Sequence, residues 1–294
     1  MKRTAHITTI LLSTAVALGL CGGCRVNVHL EDYGLSVASV HEDESDSGTA
    51  VEDVKVFVFS KVGGALVAKA RWEETCGLAD TLFRLAPGGY TVLAASNLVS
   101  PFSAESASNS SEVEFTVSEA PERNALFGAA DVTVEDVSAI ITVGVSFRRL
   151  LPELEMEFDG FPDGVTVSTT SLNGADAIKT AQKGSDGKFG LPSRQTEELL
   201  LGEVALSSQM AGNPVFRLMP TAGGQTASLF RMKLTYPDGR STECGIEAPV
   251  MNIAGRYLMR LNYKDMKSEI RLSPFEINGW TQGWIYSGII SDPD

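Results

Sequence analysis

The sequence has little of what enzymes and metal sites are built from. Only three histidines and four cysteines occur among its 294 residues. No histidine has a cysteine or second histidine at zinc-ligand spacing, and no G-x-S-x-G nucleophile motif is present. Adjacent acids such as Glu73-Glu74 carry no glycosidase signal, because neighbouring strand residues point to opposite faces. We therefore expect no catalytic activity, no metal and no cofactor.

Positive charge is also scarce. The chain has 24 Lys and Arg residues against 37 Asp and Glu residues, a net charge of −13. Removing residues 1–23 would take away Lys2 and Arg3 but no acid, which leaves −15. Such a chain repels other polyanions, and no basic run offsets this. Nucleic acid is therefore excluded as a partner. No lysine or arginine lies anywhere from Val26 to Val54.

The sequence has a single long apolar run, from Ile7 to Leu20, and it follows the basic residues Lys2 and Arg3. A basic start, an apolar run and small residues form the order of a secretory signal peptide. The run is short for a permanent membrane helix, and no later stretch approaches about 18 apolar residues. We expect an exported protein with no spanning segment after its signal.

The signal ends at Leu20-Cys21-Gly22-Gly23-Cys24. Small residues directly before a cysteine resemble a bacterial lipoprotein signal, in which that cysteine becomes the first mature residue and carries the lipid. Cys24 follows two glycines, whereas Cys21 follows the large Leu20, so Cys24 is the expected lipidation site and residues 1–23 the signal peptide. An uncleaved N-terminal anchor helix would give the same exported location.

Turns and β-branched runs dominate the mature chain. Twenty-eight glycines and twelve prolines are spread along it, and no alternation of strands and helices is seen. Short strands with turn signals every 8–12 residues are typical of β-sandwiches. We predict an all-β protein of two sandwich domains, 24–136 and 137–294, with the boundary near Val134 to Ala139. The predicted strands include 54–59, 65–72, 90–95, 112–117, 125–134, 140–147, 154–158, 228–236, 241–246, 257–263 and 284–290.

Other segments have simpler interpretations. The acidic stretch 41–48 lacks the spacing of a calcium loop and is expected to be a solvated linker. Residues 100–111 are predicted to form a surface loop, and a short helical turn is considered for Thr196 to Leu201. Residues 185–188 and 237–240 carry hairpin-turn signatures.

Two cysteines, Cys76 and Cys244, are left once Cys24 is assigned to the lipid and Cys21 to the signal. Export permits a disulfide between them. Two free buried thiols are an equally good interpretation, since the residues are far apart in sequence.

Several motifs, in order, resemble the fimbrillin family of Bacteroidales fimbrial proteins. After the lipoprotein signal and the strand 54–59, Leu85-Ala86-Pro87-Gly88-Gly89-Tyr90-Thr91-Val92 is similar to the family's L-x-P-G-x-Y-x-V hairpin, with Asn97 beyond it. The remaining matches are Leu126-Phe127-Gly128, the strand Val143 to Leu150, Gly255-Arg256-Tyr257, and Ile277-Asn278-Gly279-Trp280-Thr281-Gln282-Gly283.

The resemblance implies two transthyretin-like, Greek-key sandwiches in a lipoprotein precursor. In that family, trimming at a basic residue removes the first strands, and a strand from the next subunit fills the groove by β-augmentation. On this basis the apolar C-terminal segment is the candidate donor strand, with Trp284, Tyr286, Ile289 and Ile290 as its main side chains. The alternative is that the segment completes its own domain.

The sequence departs from the polymerising pattern at one place. Trimming by a trypsin-like protease needs Lys or Arg, and Val26 to Val54 has neither. Arg25 is too close to the lipid, and Lys55 lies inside a predicted core strand. The resemblance therefore implies a membrane-anchored or minor fimbrial subunit that keeps its lipid.

The expected location is the cell outer membrane, exposed at the surface as part of a fimbrium that supports adhesion. Other fimbrial subunits are the expected partners. Whether a receptor on a host or bacterial surface is also bound is left open by the sequence. The alternative function is a glycan-binding surface lipoprotein that uses exposed tryptophans, with Trp72, Trp280 and Trp284 as candidates.

Overall fold

The computed structural model describes residues 34–41, 52–74, 82–104, 108–135, 139–207, 212–266, 269–273, 275–279 and 282–286. Cys24, Cys76, Trp280, Ile289 and Ile290 lie outside these ranges, as do the signal peptide and most of the acidic stretch. In the described part, nearly all regular structure is β, and no helix is long and apolar enough to cross a membrane. The prediction of an all-β sandwich fold is confirmed.

The strands before the middle of the chain are β1 (Gly34–His41), β2 (Glu52–Ser60), β3 (Leu66–Glu74), β4 (Leu82–Phe83), β5 (Gly88–Ser96), β6 (Phe102–Ala104), β7 (Glu114–Val117), β8 (Leu126–Val134) and β9 (Ile140–Arg149). A single-turn 3-10 helix, Ser110–Glu112, precedes β7.

The later strands are β10 (Glu153–Asp159), β11 (Thr166–Ala175), β12 (Ile178–Lys183), β13 (Phe189–Pro192), β14 (Thr196–Ala205), β15 (Val215–Arg217), β16 (Ser228–Thr235), β17 (Ser241–Ala248), β18 (Arg256–Met266), β19 (Glu269–Ser273), β20 (Phe275–Gly279) and β21 (Gln282–Tyr286).

The first sandwich is a seven-stranded path, β3-β2-β5-β8-β9-β1-β4, that folds over on itself. The sheet turns over between β8 and β9, which pair only through Leu126 opposite Arg149 and Phe127 opposite Arg148. Apolar side chains from both arms, including Val56, Val92 and Val145, then meet in one buried cluster. Period-2 alternation in each strand supplies this inner face.

A second layer of strands covers the opposite face of β2, β5 and β8. It is the four-stranded sheet β13-β12-β7-β6, whose strands come from both predicted domains. Phe59, Leu93, Phe115 and Ile178 are fully or almost fully buried between the layers. The division into 24–136 and 137–294 stays a prediction, with the addition that β9 lies in the first sandwich and that β12 and β13 pack on it.

The second sandwich packs β14-β11-β16-β17 against a sheet with the order β15-β10-β18-β20-β21. Its core contains Leu154, Met156, Met232, Met259 and Leu261, none of which is exposed. The predicted hairpin at 237–240 connects β16 and β17, which pair antiparallel over eight residues. The hairpin at 185–188 connects β12 and β13.

Two local predictions were wrong. Thr196 to Leu201, considered as a helical turn, belongs to β14 and pairs antiparallel with β11. Leu199 and Leu201 point inward while Leu200 is 54% exposed, and this alternation belongs to a strand. The predicted surface loop 100–111 also contains β6, which pairs with β7, and the 3-10 helix.

Candidate subunit-assembly site

The first described strand, β1, lies inside the sheet of the first sandwich. It pairs parallel with β9 over eight residues, from Gly34 opposite Ile140 to His41 opposite Phe147. On its other edge it pairs antiparallel with β4, through Leu35 and Ser36. Because both edges are used, β1 is an internal strand with partners on each side.

The first four residues of β1, 34–37, are buried. Leu35 is 0% exposed and Val37 is 1% exposed, and both belong to the core cluster of the first sandwich. Burying side chains of this size contributes about 1.5–3 kcal/mol each. Losing β1 would therefore open a groove between β9 and β4 that is floored by the core.

The strand β1 was not predicted from the sequence, although the missing basic residues around it drew attention to the region. The sequence does carry a sign of this strand, because Leu35 and Val37 alternate with small residues within Gly34–His41. That pattern is short and follows residues of mixed character, so it did not stand out from its surroundings.

The C-terminal strand β21 lies at the edge of its sheet. It pairs antiparallel with β20 through five residue pairs, including Ile277 opposite Trp284 and Phe275 opposite Tyr286. No other described strand pairs with β21. Of the four candidate donor residues, Trp284 and Tyr286 are therefore in this edge strand, while Ile289 and Ile290 lie outside the described residues.

The first residue of β1 and the last residue of β21 each lie at the strand end that is remote from the junction of the sandwiches. β1 runs parallel to β9, so Gly34 lies at the opposite end from Arg149, where β9 meets the start of β10. β21 runs parallel to β10 within its sheet, since β10 and β18 are parallel and β20 is antiparallel to both neighbours. Tyr286 therefore ends the strand away from the junction.

Glu153 organises the junction itself. Its carboxylate accepts from Arg149 Nη1 at 3.0 Å and from Arg217 Nε at 3.1 Å, and Arg256 Nε lies 3.7 Å away. Arg149 is only 3% exposed. Nearby, the Asn124 side chain donates to the Leu151 carbonyl at 2.9 Å and accepts from its N–H at 3.0 Å. These bonds hold the connection between β9 and β10 in one geometry.

The other residues singled out in the sequence are placed as follows. Trp72 is half-buried and meets the Phe83 ring edge-on, with centroids 6.4 Å apart, so its ring serves packing within the first sandwich. Cys244 is a buried free thiol. Among the residues that the structure describes, no cluster of three or more His, Cys, Asp or Glu side chains could hold a metal ion.

Comparison with protein-family models finds no match for this sequence, and comparison with curated proteins finds none either. Solved structures do match. The fimbrial anchor protein Mfa2 from Porphyromonas gingivalis superimposes with a TM-score of 0.55 at 14% identity, covering 84% of this chain and 97% of that one. A fimbrial assembly protein from Parabacteroides distasonis gives a TM-score of 0.53 at 12% identity, with 86% and 98% covered.

A third similar structure is a candidate polysaccharide-binding protein from Bacteroides thetaiotaomicron. Its TM-score is 0.57 at 12% identity, with 87% of this chain and 98% of the other covered. The matches extend over nearly the whole of each solved chain, so they include both sandwiches and not one alone. At these identities the comparison establishes the fold: this chain has the architecture of the solved fimbrial anchor and assembly proteins.

Proposed function

We propose that this protein is a structural, non-enzymatic subunit of a cell-surface fimbria, held at the outer membrane by a lipid on Cys24 and supporting adhesion. It assembles with other fimbrial subunits by β-augmentation, in which a strand of one subunit adds to a sheet of another. Within the fibre it is an anchoring or minor subunit.

The observation that carries this proposal is the state of β1. The strand is internal, Leu35 and Val37 are buried, and the groove between β9 and β4 is filled by the chain's own residues. A subunit that accepts a donor strand there must first lose β1. With no Lys or Arg from Val26 to Val54, a trypsin-like protease has no site at which to release it.

A subunit with a filled groove can only be an end of the fibre. It can offer a strand or an edge to its neighbour, but it cannot receive one in place of β1. The lipid position supports the same role, because Cys24 precedes Gly34 by ten residues and so lies within about 35 Å of the start of β1. That end of the first sandwich then faces the membrane.

The edge that we assign to a neighbouring subunit is at β21, one of several strands that end a described sheet. Trp284, Tyr286, Ile289 and Ile290 are the candidate donor residues. Because β21 pairs with β20, donation requires that this pairing be exchanged, whereas addition of a partner strand to the open edge of β21 leaves it intact. Either route joins the partner to the end of the molecule remote from Gly34.

Deleting residues 284–294 tests the proposal. We expect the truncated protein to reach the cell surface and to keep a cooperative melting transition, but to lose co-purification with fimbrial subunits. A control variant with two exposed lysines changed, Lys69→Ser and Lys233→Ser, should keep its partners. Unchanged co-purification of the truncated protein would contradict assembly through this segment.

A further inference from the structure

The strand β17 ends its sheet in the second sandwich. It pairs antiparallel with β16 over all eight of its residues, in continuous register from Ser228 opposite Ala248 to Thr235 opposite Ser241. No other strand in the described part of the chain pairs with it. Within that part, the backbone N–H and C=O groups that point away from β16 are left for water or for a strand of another chain.

Most other strands that end a described sheet carry features that discourage the addition of a strand. β4, β6, β13 and β15 have only two to four residues. β14 has two register shifts against β11, and β3 has one against β2 and carries Lys69 and Arg71. Short length, bulges and edge cations are the usual protections of a sheet edge. β17 has eight residues, no register shift, and no Lys, Arg or Pro.

The two faces of β17 differ in chemistry. Its inward residues are at most 4% exposed and belong to the core of the second sandwich; they are Cys244, Ile246 and Ala248. Glu243, Gly245 and Glu247 are exposed on the outer face. A Cβ on Gly245 would meet nothing within 4 Å, so an open gap lies between the two glutamates. Glycine within a strand often marks a close approach of another chain, and an aromatic ring opposite it can fill the gap.

The outer face of β17 is acidic. Glu247 lies opposite Leu229 on β16, so no cation faces it directly across the pair. The cation diagonal to it, Arg231, contacts Glu198 on β14 at 3.6 Å. Glu243, in contrast, lies opposite Lys233. Glu247 is therefore the carboxylate better placed to meet a cation on an added strand.

The edge of β17 lies on the same flank of the second sandwich as β21. At the other flank, a Cβ on Gly202 of β14 would lie 3.2 Å from the Phe216 ring of β15, so these two strands bring the sheets together there. The strand orders β14-β11-β16-β17 and β15-β10-β18-β20-β21 then place β17 and β21 on the opposite flank. A partner that is held at β21 has the edge of β17 beside it.

We propose that β17 accepts an extended strand of the neighbouring subunit, with a basic residue opposite Glu247, an aromatic residue opposite Gly245 and apolar residues opposite the buried positions. Main-chain hydrogen bonds would supply the attachment and these side chains the selectivity. Only the identity of the partner as a fimbrial subunit rests on the function proposed above. One added strand is a small contact, so β17 secures a partner that β21 holds.

A second copy of this chain fits the edge poorly. Antiparallel pairing of two β17 strands about Gly245 would set Glu243 of each chain directly opposite Glu247 of the other, and like charges in that position are unfavourable. The net charge of −13 adds repulsion between whole chains. A basic strand from a different subunit meets neither obstacle.

Binding of the mature chain to the synthetic peptide Val-Lys-Val-Tyr-Val-Lys-Val-Thr tests the inference. Paired antiparallel with β17, this peptide sets lysine opposite Glu247 and Glu243 and tyrosine opposite Gly245. We expect binding by fluorescence anisotropy, together with slower hydrogen exchange of the β17 amides. A peptide with glutamate in place of both lysines should bind at least tenfold more weakly, because each ion pair becomes a like-charge pair. Binding without protection of the β17 amides would overturn the proposal.

The matched variants are Glu247→Lys and Glu203→Lys, which make the same change in net charge at exposed positions of β17 and β14. Glu247→Lys should weaken binding about fivefold, and Glu203→Lys should stay within about twofold of the native chain. Melting curves verify that both variants are folded. Equal losses in the two variants would overturn the proposal in favour of bulk charge.

The chain without residues 284–294 should bind the peptide as the whole chain does. Binding by the truncated chain alone would overturn the proposal, because the C-terminal segment would then be the occupant of the β17 edge. Absence of binding by every chain would overturn it as well. Co-purification with fimbrial subunits would be unaffected by that result, so the two proposals fail separately.

Discussion

The thiol of Cys244 sits on β17 inside the second sandwich, where it is 4% exposed. Burial, with a smaller contribution from the nearby Glu243 carboxylate, raises its pKa to about 12. The thiolate is the reactive form of cysteine. We therefore expect iodoacetamide at neutral pH to leave the Cys244 peptide unlabelled in the folded protein and to label it fully in guanidinium chloride. Rapid labelling of the folded protein, read by mass spectrometry, would contradict the buried position.

Asp131 gives a test that depends on pH. Burial would raise the pKa of its carboxyl, but hydrogen bonds from Lys183, Thr91 and Lys61 outweigh it and hold the pKa below the ordinary 3.8. Its stabilising contribution is thus present above pH 3.8 and is lost as the pH falls through the lower folded-state pKa. Asp131→Asn should lower the free energy of unfolding by about 0.2–1 kcal/mol at neutral pH.

That difference between the native chain and Asp131→Asn should shrink towards zero well below pH 3.8, once the native carboxyl is protonated as well. Urea unfolding at neutral and acidic pH measures it. An equal difference at both pH values would mean that Asp131 acts through packing and not through its charge.

Glu153 and Glu157 form a matched pair on β10, each opposite an arginine on β18. Glu153 serves three arginines and its side chain is 17% exposed, whereas Glu157 pairs with Arg260 at the surface with 42% exposure. Glu153→Gln should lower the free energy of unfolding by about 2–4 kcal/mol, because it leaves buried guanidinium charge uncompensated. Glu157→Gln should cost about 0–1 kcal/mol. Chemical denaturation measures the loss of unfolding free energy in each variant. Similar losses in the two would show that Glu153 stabilises the junction no more than an exposed ion pair does.

At the scale of elements, β1 is the strand on which the proposed role depends. Leu35→Ala removes a fully buried side chain between two paired strands and should cost about 2–5 kcal/mol. Val67→Ala on β3 is the control, since Val67 is 47% exposed and its loss should stay within about 0.5 kcal/mol. A small effect of Leu35→Ala on the melting transition would mean that β1 contributes little to the sheet.

Most elements follow from local patterns in the sequence. Strands such as β2, β5, β8 and β9 were predicted within a few residues, because β-branched runs end at clear Gly and Pro turns. The β16–β17 hairpin followed from Pro237-Asp238-Gly239. The 196–201 segment was misjudged because two glutamates and three leucines suit a helix equally well, and only its pairing with β11 decides.

The assembly site itself stays a prediction. The missing basic residues from Val26 to Val54 pointed to a retained first strand, but which strand it is and what it pairs with depend on long-range contacts. Parallel pairing of β1 with β9 joins residues more than a hundred positions apart. No local pattern encodes such a contact.

At the scale of the whole molecule, the path of the chain gives the proposed anchoring subunit a direction. The chain enters the first sandwich at Gly34, passes through the junction at Glu153, and leaves the second sandwich at Tyr286. With the proposed lipid on Cys24, the end at Gly34 would face the membrane, and the edge strand β21 would face a neighbouring subunit.

The central claim is that β1 and the lipid before it are retained. Mass spectrometry of the N-terminus of this protein in assembled fibres tests that claim most directly. We predict a mature chain that begins at Cys24 with two or three acyl groups attached. An internal N-terminus beyond residue 50, with β1 removed, would contradict it.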